Sequence, residues 1–361
     1  SASGAGPDPT EPMEAATAVP GAPPVPPAIP VLRSATAPVA PALPYRRWIE
    51  LQTVTLQSRF RFVNDTNDVT TANHIQHGEL FRGRVKFDKA GRYSLGFGLL
   101  PGTSFTSGWN NAPIGTPNEF AKLLYFKQLY LQVAPAKGLE LQYGGLGMAR
   151  GENTEITSWD NDGFMVGERI SVKRPDVFFV DEVSAARGYL GDLTSPSVFD
   201  RWSRLDETNY YQFLVARHIG KQVTASVDYT SHAGASTMRG AVVVKTPGLH
   251  VADFVRYEEY RRTADGVYGF AVYAERAVTK RASVGGGWAD VDLTYGGLNA
   301  DRFNKGRRFF AQSTVNIFPE LQIQAFWGHA VGNDVPLANR NRFDFIVSYN
   351  LLKTMQKAGL Y

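Results

Sequence analysis

The chain has 361 residues, no cysteine and a formal net charge of +4, and its mean hydropathy of −0.23 is that of a water-soluble sequence. The absence of cysteine excludes disulfide bonds, cysteine metal sites and cysteine nucleophiles. No apolar run reaches the ~18 residues that a transmembrane helix needs. The 35 glycines, 22 phenylalanines and 16 tyrosines suit tight turns and pleated strands instead.

Residues 1–45 form a leader dominated by proline and alanine, and the run from Val19 to Pro27 is typical of it. Proline cannot donate to a strand ladder and favours extended backbone, so we expect a disordered or semi-rigid spacer. A docking segment for a periplasmic partner is the alternative. The chain begins with Ser1 and not with methionine, which fits a removed secretory signal and fits a trimmed sequence equally.

From about Trp48 onward, apolar and polar residues alternate with a period of two, which predicts strands with one apolar face. In the run 223–229, valine, alanine and tyrosine alternate with threonine, serine and aspartate. The runs 321–327 and 343–351 follow the same pattern. Each run is therefore expected to form a β-strand whose two faces meet different surroundings.

The connections between these runs alternate between two kinds. Compact connections with turn residues lie at 89–91, 135–138, 174–176, 219–221, 246–248, 279–281 and 318–320. Mostly longer, polar connections lie at 64–75, 101–121, 149–163, 185–208, 232–236, 262–266, 295–306 and 332–340. Seven tight turns and eight loops predict sixteen antiparallel strands with both chain ends on the turn side.

This alternation predicts an all-β fold in which residues 46–361 form a transmembrane antiparallel β-barrel of about sixteen strands. Short periplasmic turns and longer external loops are the signature of a barrel in a bacterial outer membrane. The N-terminus would then be periplasmic. A soluble β-protein with a tyrosine-rich core is the alternative, but the polar faces carry more arginine, glutamine and threonine than a narrow dry core would hold.

In these features the chain resembles the Gram-negative outer-membrane porins. The resemblance rests on the sixteen-run pattern, on the alternation of turns and loops, and on the last strand from Arg342 to Leu352. It is architectural, covers about residues 46–361 and includes no family-specific motif. It implies a water-filled channel for small hydrophilic solutes, contact with outer-membrane lipid and lipopolysaccharide, and a homotrimer. Porin chains usually end on an aromatic residue of the last strand, whereas 353–359 here precede Tyr361, so either that strand is longer or a short tail follows it.

Basic residues dominate the polar faces of the first three strands. They are Arg59, Arg61, Arg82, Arg84, Lys86 and Arg92. Later strands add Arg169, Lys173 and Arg308, while the clear inward acids are fewer, namely Glu140, Asp228 and Asp344. A lumen wall with one sign of charge concentrates counter-ions, so the sequence predicts a pore-lining basic ladder and weak anion preference. Alternatively, these arginines pair with loop carboxylates and set pore size more than selectivity.

The connection 149–163 is acidic and follows the fifth strand. Its carboxylates are Glu152, Glu155, Asp160 and Asp162. The third external loop of porins folds inward, so the resemblance implies a constriction loop, although this shorter loop could stay outside. The segment 160–163 has oxygen ligands at Ca²⁺-like spacing but lacks the distal glutamate, so we predict no metal site and no cofactor.

Other functions have weaker support in the sequence. Ser231 and His232 are adjacent and would face opposite ways on a strand, and no Gly-x-Ser-x-Gly or His-Glu-x-x-His motif is present, so we predict that the chain is not an enzyme. Its basic residues are spread out, which argues against nucleic acid as a partner. A barrel that exports an acidic polysaccharide, or that anchors a periplasmic assembly, remains the second hypothesis.

Overall fold

A computed structural model describes residues 48–105, 107–112, 124–154, 163–174, 179–191, 194–232, 234–294, 306–332 and 340–361. Three of the predicted loop carboxylates, Glu155, Asp160 and Asp162, lie outside these residues. The leader predicted for 1–45 also lies outside them.

The described residues form one antiparallel sheet of seventeen strands. The strands are β1 (Ile49–Asn64), β2 (Thr70–Lys86), β3 (Tyr93–Leu100), β4 (Asn110–Asn111), β5 (Tyr125–Ala136), β6 (Leu139–Gly147), β7 (Phe164–Val172), β8 (Glu182–Tyr189), β9 (Tyr210–Ile219), β10 (Val223–His232), β11 (Ala235–Lys245), β12 (Phe254–Arg262), β13 (Tyr268–Ala277), β14 (Ala282–Val291), β15 (Gly306–Phe318), β16 (Leu321–Val331) and β17 (Asn341–Asn350).

Closure of the sheet into a barrel follows from its pairing. β1 pairs with β2 on one side and with β17 on the other. The two-residue strand β4 pairs with a stretch of β2 that β3 does not reach. The other sixteen strands each have two neighbours, so the ladder has no long open edge. The predicted antiparallel barrel of about sixteen strands is therefore confirmed.

The period-two pattern separates an inner face from an outer face. On β10, Val227 points outward and is 50% exposed, whereas its neighbour Asp228 points inward and is 1% exposed. The outer face carries large apolar side chains, among them Trp288 and Phe309, whose rings meet edge to face at 4.5 Å. The inner face carries most of the buried polar and charged groups.

The predicted alternation of turns and loops is confirmed as well. Compact connections such as 137–138, 220–222 and 319–320 lie at one end of the barrel, here called the turn end, together with the end of the chain. The loops lie at the opposite loop end. Two of them are used below: loop 2 (101–124, containing β4) and loop 3 (148–163).

Two predicted loops are shorter than the sequence suggested. The connection expected at 64–75 is confined to 65–69, because the polar residues from Thr70 onward pair with β1. The connection expected at 185–208 begins at 190, because β8 continues to Tyr189 along β7. Polar residues beyond the apolar part of a strand can pair in the ladder as apolar residues do. Boundaries set by polarity alone therefore made both strands too short.

A short tail follows the last strand. β17 ends at Asn350, whose side chain accepts a hydrogen bond from the Lys353 N–H and starts helix α1 (Leu351–Lys357). Leu352 and Tyr361 pack with Val54 on the outer face at the turn end of β1, and the Leu51 N–H donates to the Tyr361 hydroxyl at 2.6 Å. The terminal aromatic thus returns to the seam where β1 meets β17. No helix in the described part of the chain is long and apolar enough to cross a membrane.

Candidate functional site

The inner wall formed by β17 and β1 carries a buried cluster of arginines around one carboxylate. Arg61 contacts Asp344 through two hydrogen bonds of 2.7 and 2.8 Å, and Arg342 donates to the same carboxylate at 2.9 Å. Arg308 on β15 is also buried on the inner face. Because two guanidinium groups share one carboxylate, the described part of this cluster has a net positive charge.

Loop 2 enters the barrel beside this cluster. The Arg59 guanidinium lies 4.1 Å from the centre of the Trp109 ring and donates to Gln76 at 2.8 Å. From β5, Lys127 donates to the Ser104 carbonyl at 2.9 Å and also to the Ser107 carbonyl. These contacts hold residues 104–105 and 107–109 against the inner wall, and the Trp109 ring covers Arg59.

Three further members of the predicted ladder lie on β2 nearer the turn end. Arg82, Arg84 and Lys86 alternate on the inner face and are partly exposed. Glu50 on β1 accepts from Arg84 at 2.9 Å and forms an ion pair with Lys86 at 2.6 Å. Arg92 is placed differently, because it lies in the turn between β2 and β3 and is exposed. A pore-lining role for these residues stays a prediction.

Loop 3 runs inward along the opposite wall. The Ala149 carbonyl accepts from the Gln212 side chain at 2.7 Å, and the Glu152 N–H donates to the Ser226 hydroxyl at 2.7 Å. The Glu258 carboxylate then accepts from the Thr154 N–H at 2.8 Å and from the Thr154 hydroxyl at 2.9 Å. Residues 149–154 therefore cross the inner faces of β9, β10 and β12.

The wall beneath loop 3 has balanced charges. Arg239 on β11 donates to Asp228 on β10 at 2.7 Å, and Arg256 lies 3.7 Å from Glu258 on β12. Glu152 itself is bound through its backbone and its side chain is partly exposed. The two sides of the lumen thus differ in charge: the β17–β1–β2 side is basic, and the β10–β12 side is close to neutral.

An apolar cluster lies on the inner wall from β12 to β16. Tyr273 stacks on Phe310 with ring centres 5.8 Å apart, and Phe310 is 6.3 Å from Phe326. The hydroxyl-bearing Tyr260 belongs to the same buried cluster. The sequence analysis did not predict this inward cluster of aromatic residues. The available signal was that these aromatic residues share the alternate strand positions of the inward-facing polar residues.

The fold is similar to that of known porin structures. Salmonella typhi OmpF, solved in complex with daunomycin, matches with a TM-score of 0.55 and 10% identity over 84% of this chain and 98% of that one. A mutant of the Rh. blastica porin gives 0.54 and 10% over 84% and 99%. Pseudomonas putida OprB in its low-pH structure gives 0.52 and 8% over 84% and 92%. At these identities the likeness defines the fold as that of a porin barrel.

Comparison at the level of sequence gives no family. No protein-family model matches the chain, and no curated protein sequence matches it.

Proposed function

We propose that this chain is an outer-membrane porin, a water-filled channel for passive diffusion of small hydrophilic solutes with a weak preference for anions. The observation that carries the proposal is a closed sixteen-strand barrel with a charged inner face, against which the described parts of loops 2 and 3 pack. The apolar outer face would contact membrane lipid and lipopolysaccharide. The turn end would face the periplasm and the loop end the outside.

The difference in charge across the lumen supports the anion preference. Arginines on β1, β2 and β17 face a wall in which Asp228 and Glu258 already have basic partners. Positive charge on one side of a narrow passage with low-dielectric walls raises the local concentration of anions. The effect is expected to be weak, because Asp344 and Glu50 neutralise part of the basic side.

Loops 2 and 3 would set the size of the opening in this proposal. They approach from opposite walls, Trp109 of loop 2 from the β1–β2 side and residues 149–154 of loop 3 from the β9–β12 side. Inward side chains near the loops are almost fully buried, while Arg82 and Arg84 further down are partly exposed. The narrowest point would therefore lie toward the loop end, with a wider vestibule at the turn end.

We also propose, from the likeness to porins, that the chain assembles as a homotrimer, and that the leader could reach a periplasmic partner. The packing of loops inside the lumen is equally compatible with a barrel that stays closed until it exports an acidic polymer. That second function differs from the first in one measurable property, namely conductance in the absence of a partner.

Liposome swelling with uncharged sugars of graded size tests the proposal, together with the reversal potential in a salt gradient. A porin should admit the smaller sugars rapidly and exclude larger ones. Its reversal potential should have the sign that indicates anion selectivity, and a small magnitude. Liposomes that fail to swell in any sugar would favour the closed export barrel. Cation selectivity would contradict the proposed role of the basic wall.

A further inference from the structure

A recess lined by glycine lies on the inner wall around Tyr130. Tyr130 on β5 is paired with Gly96 on β3 and with Gly144 on β6, and Gly144 is paired with Gly167 on β7. A Cβ at Gly96 would lie 2.3 Å from the Tyr130 Cζ, so the phenol ring lies flat across β3 and points its hydroxyl toward β2. The Tyr130 ring fills the space over Gly96, so the recess lies on its other side, where Gly144 and Gly167 contribute no side chains.

Arginines stand on both rims of this recess. On β2, Arg84 is paired with Gly96 and Arg82 with Gly98, and on β7 Arg169 lies two residues beyond Gly167. The register therefore places the Tyr130 side chain between the arginines of β2 on one side and Arg169 of β7 on the other, beside glycines that contribute no side chain.

The hydrogen bonding of Arg84 and Arg169 is incomplete. Arg84 donates from Nη2 to Glu50 at 2.9 Å, and Arg169 donates from Nη2 to the Gly147 carbonyl. The Nε atoms of Arg84 and Arg169 are buried and have no hydrogen-bond partner among the described residues. A buried donor without an acceptor is costly, so these atoms point to an acceptor that arrives from solution.

The carboxylates near the recess already have protein partners. Glu50 accepts from Arg84, Glu140 binds Lys173 at 3.0 Å, and Glu182 accepts from the Ser184 hydroxyl at 2.7 Å. They reduce the positive charge of the recess without filling it. The positive charge of the recess favours an anion as the ligand that uses these donors, and the ligand must be small enough to lie between β2 and β7.

We propose that this recess is a binding subsite for small organic carboxylates on their way through the barrel. A guanidinium group presents two parallel N–H donors that match a carboxylate, and the Tyr130 hydroxyl adds a third donor. The proposal rests on the proposed channel function and deepens it, because it assigns a solute class and a place to the anion preference. A dicarboxylate such as succinate could contact Arg169 with one end and Arg82 or Arg84 with the other.

Current block in single channels tests the subsite. Purified protein in a planar bilayer in potassium chloride should show brief, concentration-dependent interruptions when succinate is added on one side. Arg169→Ala and Tyr130→Phe should each raise the half-blocking succinate concentration by about tenfold, which corresponds to one lost charge-assisted hydrogen bond. Tyr130→Phe keeps the ring over Gly96 and so tests the hydroxyl even if Arg169→Ala fails to fold.

Lys280→Ala is the matched control, because Lys280 lies exposed in the turn between β13 and β14 and its loss changes the net charge equally. It should leave the block by succinate unchanged. The subsite would be overturned if the natural protein showed no block, or if inorganic phosphate reproduced the block at equal concentration. It would also be overturned if Lys280→Ala weakened the block as strongly as Arg169→Ala. Failure of the channel function would look different, since no open channel would then be seen at all.

Discussion

Anchoring of loop 3 by Glu258 makes a sharp prediction about the current through the barrel. Glu258 on the inner face of β12 accepts two hydrogen bonds from Thr154, at 2.8 Å from the backbone and 2.9 Å from the hydroxyl. Replacing Glu258 with alanine removes both. Arg256, which donates to the Thr154 hydroxyl at 2.7 Å, then remains at this end of the described part of loop 3, and Gln212, Ser226 and the Gly240 carbonyl hold the rest. We expect the segment around Thr154 to detach from the wall more often.

The size of the effect follows from these contacts. A hydrogen bond to a charged group contributes about 1.5–3 kcal/mol, so the two bonds together hold the loop by at least about 3 kcal/mol. Losing that amount raises the detached population by about a hundredfold. Single-channel recordings of Glu258→Ala should therefore show a changed mean conductance and frequent steps between levels, whereas the natural protein should hold one level.

Glu259→Ala provides the control, since Glu259 is the next residue on the same strand, faces outward and binds the Tyr257 hydroxyl. Thr154→Ala removes only the hydroxyl contact and should give an intermediate result. Quiet, unchanged channels from Glu258→Ala would refute the idea that loop 3 lies in the conducting path. The same would follow if Glu259→Ala produced equal noise.

Three further predictions concern the arginine cluster around Asp344, the Trp109 ring that covers Arg59, and the contact of Tyr361 with β1. Asp344→Asn removes the charge that two buried arginines share and should destabilise the barrel by about 3–5 kcal/mol, measured as a lower temperature for the conversion of the folded to the unfolded gel band. Trp109→Ala uncovers Arg59 and should raise both the conductance and the anion selectivity, read from the reversal potential. Tyr361→Phe removes the acceptor of the Leu51 N–H and should cost about 1 kcal/mol of stability, seen as faster unfolding of the folded band on heating.

Much of the barrel could be predicted from the sequence because the direction of each side chain and the pairing of consecutive strands depend on residues close together in the chain. Alternation at Val227 and Asp228 sets which side chain faces inward, and tight turns such as 319–320 set which strands are neighbours. Closure follows once every strand has two antiparallel partners. Strand ends were less accurate, since the first residues of β2 are polar and pair with β1 all the same.

The interior of the barrel depends on contacts that local patterns do not encode. Trp109 reaches Arg59 across 50 residues of sequence, and Thr154 reaches Glu258 across 104. A period-two pattern says that Arg59 faces inward, but it does not say that a loop covers it. The recess at Tyr130 has the same origin, because it needs glycines on three different strands to lie side by side.

Conductance of the purified protein in a planar lipid bilayer tests the central claim most directly. The account predicts discrete, stable current steps that are weakly anion-selective, given by protein that migrates as a compact band on a gel before boiling and as a slower band after boiling. The boiled sample should give no steps. Protein that inserts with the compact gel mobility but never conducts without a partner would contradict the claim that this barrel is a diffusion channel.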